Sequence, residues 1–134
     1  MTPAREDVQI VVAALIARGG RMLISQRPPG SGHGGRWEFP GGKREADESD
    51  AEALLRELRE ELGILLPIGP RAWTERSGPL ELRFYWCHWT DALRPRPLEV
   101  VQFRWVAVGQ LAGYLFPPAD HQLVQALVGG RLTP

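Results

Sequence analysis

Residues 49–63 read SDAEALLRELREELG and carry their own start and stop. Ser49 with Glu52 three residues later has the spacing of a capping box, in which each side chain satisfies a backbone N–H that the first helical turn leaves unpaired. Gly63 can take the left-handed conformation that ends a helix. Between them Ala51, Leu54, Leu55, Leu58 and Leu62 recur at helical spacing, so the stretch is predicted to be an amphipathic helix with one apolar stripe against a sheet.

The flanking sequence supplies that sheet. Residues 8–17 (VQIVVAALIA) are rich in β-branched residues and run into Gly19-Gly20, a hairpin signal, with residues 21–26 as the returning strand. Residues 27–36 (RPPGSGHGGR) have no apolar period and read as a loop. A short extended piece follows at 37–40, then a tight turn at Gly41-Gly42. Beyond the helix, 64–73 is expected to be extended and Ser77-Gly78-Pro79 to turn. In 80–89 Leu80, Leu82, Phe84 and Trp86 alternate with Glu81, Arg83 and Tyr85, as in a half-buried strand. A further strand is expected at 100–108 and a closing helix at 118–128, with Pro118 in its first turn. The order predicts an α/β fold, a mixed sheet with helices packed on it.

Composition bounds the function. With 134 residues, 43% apolar and 24% charged, the chain has the size and balance of one domain spanning 1–134, not of a disordered or fibrous protein. Sixteen basic residues against sixteen acidic ones leave no net field to capture nucleic acid or an anionic membrane, so any phosphate binding must be local. The apolar run at 8–17 is too short to span a bilayer, and Arg5, Glu6 and Asp7 do not form a basic signal-peptide head. One cysteine, Cys87, rules out an internal disulfide and a cysteine zinc site, which fits a cytoplasmic setting. His33, His88 and His121 are too dispersed in sequence to form a ligand set. Cys87 has no histidine partner that would make it a nucleophile.

Glu57, Glu60 and Glu61 stand at i, i+3 and i+4, within about 100° of one another around the helix. Like charges at this spacing cost roughly 0.2–0.5 kcal/mol per pair unless a cation sits among them. Oxygen ligands without clustered histidine or cysteine favour Mg²⁺ or Mn²⁺ over zinc. A solvated acidic face is the plain alternative. Upstream, the bare backbone of Gly41-Gly42 can bring a carbonyl oxygen to a metal, and Glu48 with Arg56 forms an expected ion pair tying loop to helix.

With Gly42, Glu48 and Arg56-Glu57-Leu58-Arg59-Glu60-Glu61-Leu62-Gly63-Ile64 in place, residues 42–64 match the pattern GX5EX7REUXEEXGU at every defined position. This resembles the Nudix hydrolases. The likeness covers nearly the whole chain and is strongest to the MutT-like nucleoside triphosphate pyrophosphohydrolases, through Trp37-Glu38-Phe39-Pro40-Gly41-Gly42-Lys43, Arg27 after the second strand, and Phe116-Pro117-Pro118-Ala119-Asp120. The resemblance implies an α/β/α sandwich around a mixed sheet. It also implies Mg²⁺-dependent hydrolysis of (deoxy)nucleoside triphosphates, including oxidised ones such as 8-oxo-dGTP or cytosine-type dNTPs, to nucleoside monophosphate and pyrophosphate. Residue by residue, Glu60, Glu61 and the Gly41 carbonyl would hold the ion, Glu57 would be a ligand or the base for water, and Glu99 a further ligand or base. Asp47 stands where the family usually has Gly before the box glutamate, so that loop cannot rely on a glycine-only conformation.

Arg27, Arg36, Lys43 and Arg44 flank the box and could neutralise phosphate oxygens, Arg27 being preferred because it follows a strand end; each is equally an ordinary surface charge. Phe39 and Trp37 could cover a nucleobase or belong to the core. Asp120 stands where the 8-oxoguanine-specific relatives have Asn. Ionised, it only accepts hydrogen bonds and would suit the cytosine amine or the guanine N–H groups; protonated, it would also donate. It is also placed to cap the last helix. Other nucleoside diphosphate-X substrates (ADP-ribose, dinucleoside polyphosphates, NADH), or nucleotide sensing without hydrolysis, remain alternatives. The expected partner is a small nucleotide, with no direct nucleic acid and no membrane, for a monomer or homodimer.

Overall fold

The computed structural model describes residues 8–134, so Arg5, Glu6 and Asp7 lie outside it. The elements are β1 (Gln9–Arg18), β2 (Arg21–Gln26), β3 (Trp37–Glu38), β4 (Gly41–Lys43), α1 (Asp50–Leu62), β5 (Ile68–Ser77), β6 (Leu80–Cys87), β7 (Gln102–Ala107) and α2 (His121–Val128). Two 3₁₀ segments, Val108–Gly113 and Pro118–Asp120, precede α2. The architecture is the mixed α/β sandwich expected.

The long strand β1 organises everything. It runs parallel to β6 from Gln9 to Ile16, antiparallel to β4 at Val11–Ala13, and turns at its end to pair with β2. The path β3-β2-β1-β6-β5 is completed by β4 beside β1 and β7 beside β2. Because β1 is central, both of its faces are buried, and successive residues feed two cores. Val12, Ala14 and Ile16 join Leu23 and the α1 residues Ala53, Leu54, Leu58 and Leu62 on one side. Ala13 and Leu15 join Trp37, Phe39, Phe84, Phe116, Leu123 and Leu127 on the other, under α2. Leu54, Leu58 and Leu62 are fully buried, each contributing about 1.5–3 kcal/mol to holding α1 on the sheet.

Five local readings need correction. Gly41-Gly42 is not a tight turn but the strand β4, because β1 pairs antiparallel beside it over Val11–Ala13. On α1 the buried alanine is Ala53 and not Ala51, and Leu55 is only half-buried; the stripe leans toward the sheet by one position. Regular pairing after α1 starts at Ile68, since 63–67 descends from the helix end before reaching the sheet. The extended piece at 37–40 pairs only at Trp37–Glu38. The closing helix starts at His121 after a 3₁₀ turn and not at Pro118. The cap holds: Ser49 accepts from the Glu52 N–H, Glu52 accepts from the Ser49 N–H, and Gly63 is left-handed at φ 65°. Asp47 is not among the residues with positive φ, so the box loop does not ask for glycine there. Among the described residues no helix is long and apolar enough to cross a membrane.

Candidate active site

The site forms where α1 crosses β4. Pairing in an antiparallel ladder alternates between residues that exchange hydrogen bonds and residues that do not. The Ala14 N–H donates to Pro40 O (2.8 Å) and the Arg44 N–H to Ile10 O (2.9 Å), so Ala13 and Gly41 are a non-bonded pair. The N–H and C=O of Gly41 therefore point away from β1. The N–H donates to the Glu61 carboxyl on α1, and the carbonyl faces the same edge, away from β1. Both glycines are required by close approach. A Cβ on Gly41 would fall 2.0 Å from Val12 O, and one on Gly42 would fall 2.4 Å from the Glu57 carboxyl carbon.

Arg56 is the hub of the loop-helix junction. It donates through Nε and Nη2 to both oxygens of Glu48 (2.7 and 2.8 Å), through Nη2 to Lys43 O, and through Nη1 to Glu57 (3.0 Å) and Glu60 (3.5 Å). The bidentate pair holds the Glu48 carboxyl down at about 2. The expected loop-to-helix ion pair is present, and it goes further than the spacing indicated. Repulsion among the helix carboxylates is relieved in part by Arg56 itself, and not by a bound cation alone.

Glu61 is the exception. Its carboxyl is buried, and Oε1 has no hydrogen-bond partner. Burial, with Glu57 and Glu38 beside it, pushes its pKa up to about 10, the Gly41 N–H opposing. An orphaned buried carboxyl oxygen is costly and rare. Among the described residues no three His, Cys, Asp or Glu side chains form a group already closed on one point; Glu60, exposed, is drawn toward Arg56. Even so, the donors on this edge fit a hard divalent cation. They are all oxygens, and a cation is the partner that the Glu61 oxygen lacks. Gly41 O, Glu57, Glu60 and Glu61 are the groups that could hold it. Glu99 is brought to the same helix end by its backbone, its N–H reaching Glu61 O at 3.3 Å, while its side chain is exposed.

One site residue was not singled out in advance. Glu38, on the strand between Trp37 and Phe39, is paired with Arg27 (3.3 Å), feels the charge of Glu57, and lies near enough to Glu61 and Asp120 to raise the pKa of both. Burial raises its own pKa, Arg27 opposing. The signal was available: period-2 alternation sends Trp37 and Phe39 to the α2-side core and Glu38 to the opposite face. Arg27 is thus already engaged by a carboxylate. Arg44 is taken by Asp50 (2.7 Å), Lys43 is exposed and Arg36 half-buried.

The aromatic candidates are both buried against other rings. Phe39 is buried, stacked on Phe116 with centroids 5.3 Å apart, and Trp37 meets Tyr114 edge-on. Asp120 makes no capping bond to α2, which corrects that reading; its carboxyl is buried instead. Burial, then Glu38 and Glu75, push its pKa up to about 7, and no neighbour opposes them. Cys87 is buried and its thiol is pushed up to about 12 by burial, which keeps it inert at neutral pH.

Comparison with known proteins identifies the family. The NUDIX domain profile matches residues 7–127. A CTP pyrophosphohydrolase of Escherichia coli strain K12 is 59% identical over 127 residues, covering 90% of this chain and 92% of that protein. A putative 8-oxo-dGTP diphosphatase 2 of Mycobacterium tuberculosis strain H37Rv is 39% identical over 117 residues, 84% of this chain and 82% of that one. A solved structure from a study of MutT from Aliivibrio salmonicida and Vibrio cholerae superposes with a TM-score of 0.79 at 33% identity, covering 91% of this chain and 98% of that one. An oxygen-lined helix edge of this form, on a chain matched over nearly its full length, means that the protein belongs to the Nudix hydrolase family.

Proposed function

We propose that this chain, acting as one domain over 1–134, hydrolyses free nucleoside triphosphates of the cytosine type to nucleoside monophosphate and pyrophosphate. The observation that carries this reading is the buried, unpartnered Glu61 oxygen beside Glu57 and the outward-facing backbone of Gly41. That edge calls for a cation, and a cation there makes a polyphosphate tolerable. Gly41 O, Glu57, Glu60, Glu61 and Glu99 would hold it, with Mg²⁺ preferred over Mn²⁺ as the available hard ion. A bound divalent ion would neutralise phosphate charge and acidify water. Glu57, whose Oε1 is held by Arg56 at 3.0 Å, would orient a water and take its proton as the water oxygen bonds to phosphorus and the phosphorus-oxygen bond to the leaving group breaks. Arg56 and Glu48 hold that carboxylate in place.

Asp120 is proposed to read the base. The relative at 59% identity is named for CTP, and an ionised Asp accepts from the exocyclic amine of cytosine. Titrating near neutrality, it would also exist protonated, when it could donate as well. That second state favours an alternative purine reading, 8-oxo-dGTP, for which other relatives are named. The setting proposed is the cytoplasm, as a monomer or homodimer, since the groups named come from one chain.

The test is turnover of CTP, dCTP, a 5-substituted dCTP, dGTP and 8-oxo-dGTP side by side with Mg²⁺, reading pyrophosphate against phosphate. Cytosine nucleotides should lead, with pyrophosphate released. Asp120→Ala should erase the preference while largely keeping kcat. A preference for 8-oxo-dGTP would replace the cytosine reading, and phosphate release alone would overturn the reaction.

A further inference from the structure

The connection from β6 to β7 contains RPRPLE at residues 94–99, in which prolines alternate with other residues. Proline has no N–H and fixes φ, so Pro95 and Pro97 stiffen the backbone and halve its donors. Each donor left between 95 and 99 reaches the end of α1, the Leu98 N–H being shared with Arg96 O (2.9 Å). The N–H of Arg96 donates to Leu62 O (2.9 Å), and those of Leu98 and Glu99 both reach Glu61 O (3.0 and 3.3 Å). Glu61 O and Leu62 O are among the carbonyls that a helix leaves unpaired at its C-terminus. The segment thus completes the end of α1 in the turn that carries Glu60 and Glu61.

Side chains add a second contact. A Cβ on Gly63 would lie 3.2 Å from Leu98 Cδ1, so the glycine that ends the helix also makes room for Leu98 to lie across it. Leu98 is nonetheless half-exposed and contributes to neither core. An exposed leucine held over a glycine by a proline-stiffened backbone has no evident packing purpose, and Glu99 is the next residue.

We propose that residues 95–98 form a positioning strap for Glu99: the proline-spaced backbone and the Leu98 side chain hold that carboxylate against the α1 turn bearing Glu60 and Glu61. This rests on the reading of Glu99 as ligand or base given above. Leu98, Pro95 and Pro97 act through Glu99 and touch no reacting atom.

The test uses the full chain in five forms beside the wild type: Leu98→Ala, Leu98→Met, Pro95→Ala/Pro97→Ala, Glu99→Gln, and Glu99→Gln combined with Leu98→Ala. Mn²⁺ binding without nucleotide is read by electron paramagnetic resonance, amide exchange at Leu98 and Glu99 by NMR, and turnover with Mg²⁺ last. Leu98→Ala and the double proline variant should speed exchange at both amides and weaken Mn²⁺ binding by about tenfold, with thermal midpoints unchanged. Leu98→Met should restore binding. In the Glu99→Gln background Leu98→Ala should add nothing, because the residue it positions is already gone. An undiminished loss on that background, or wild-type Mn²⁺ binding in Leu98→Ala when Glu99→Gln is impaired, would overturn the strap alone. Wild-type binding and turnover in Glu99→Gln would overturn the role of Glu99 itself, and the strap with it.

Discussion

The two ends of α1 handle charge in opposite ways. At its N-terminus Asp50 is half-sunk into the protein but over-supplied with partners: Arg44 at 2.7 Å, Arg83 at 3.1 Å, Arg71 at 3.5 Å and the Tyr85 hydroxyl. Hydrogen bonds from Tyr85 and the arginines outweigh burial and lower its pKa. At the C-terminal half Glu61 is buried with an oxygen that nothing satisfies, and burial raises its pKa to about 10. The same residue class therefore anchors one end of the helix and is left in need of a partner at the other. Protein groups satisfy the end that holds the helix on β5 and β6, while at the end proposed to do chemistry a buried carboxyl oxygen has no partner among the described residues.

The largest consequence to check lies at the unsatisfied end. Glu57→Gln and Glu60→Gln should each lower kcat by about two to four orders of magnitude, or roughly 3–5 kcal/mol of transition-state stabilisation, with no loss in thermal midpoint. Steady-state kinetics beside calorimetric melting will decide it, and an equal fall in stability would erase the contrast. The satisfied end should show the reverse. Asp50→Ala removes a shared partner from three guanidinium groups, of which Arg83 keeps Glu81, and urea unfolding should report a loss of about 2–4 kcal/mol, with KM for nucleotide little changed once the protein is folded.

Asp120 sharpens the comparison through pH. Its pKa is about 7 in the folded protein against 3.8 for the free side chain, so the native state binds the proton more tightly. The stability this brings is complete below about pH 4, declines as pH rises toward 7, and is absent above it. Asp120→Asn should flatten that slope, and its unfolding free energy in urea titrations should exceed that of the wild type by more at pH 8 than at pH 5, by about 1–2 kcal/mol after allowance for relaxation. Equal differences at the two pH values would mean the carboxyl is not held in a desolvated state. The smallest effect belongs to the exposed cap. Ser49→Ala should cost about 1 kcal/mol or less and leave turnover untouched.

Much of this was legible because it is local. The capping box, the left-handed Gly63 and the Glu48–Arg56 pair depend on residues at most eight apart, and helix geometry alone brings them together. The Asp50 cluster had no such signal, since Arg83 and Tyr85 are 33 and 35 residues away and reach it only through the parallel β1–β6 pairing. Glu38 was readable from alternation beside Trp37 and Phe39, yet its neighbours Glu57, Glu61 and Asp120 come from both helical layers. The misreading of Gly41-Gly42 has the same origin. Two glycines suggest a turn until β1 is seen to pair beside them, bonding Gly42 and leaving the Gly41 backbone to face α1.

By itself, then, the order of residues determined the helix, its carboxylates, the alternating strands and the family, because periodicity and short-range capping are written along the chain. Only the folded arrangement decided which carboxylate is orphaned, that Gly41 turns its backbone toward α1, that Asp120 is desolvated, and that 94–99 closes the end of the helix. Burial and the direction of a backbone group depend on what packs from elsewhere, and those neighbours are set by the sheet.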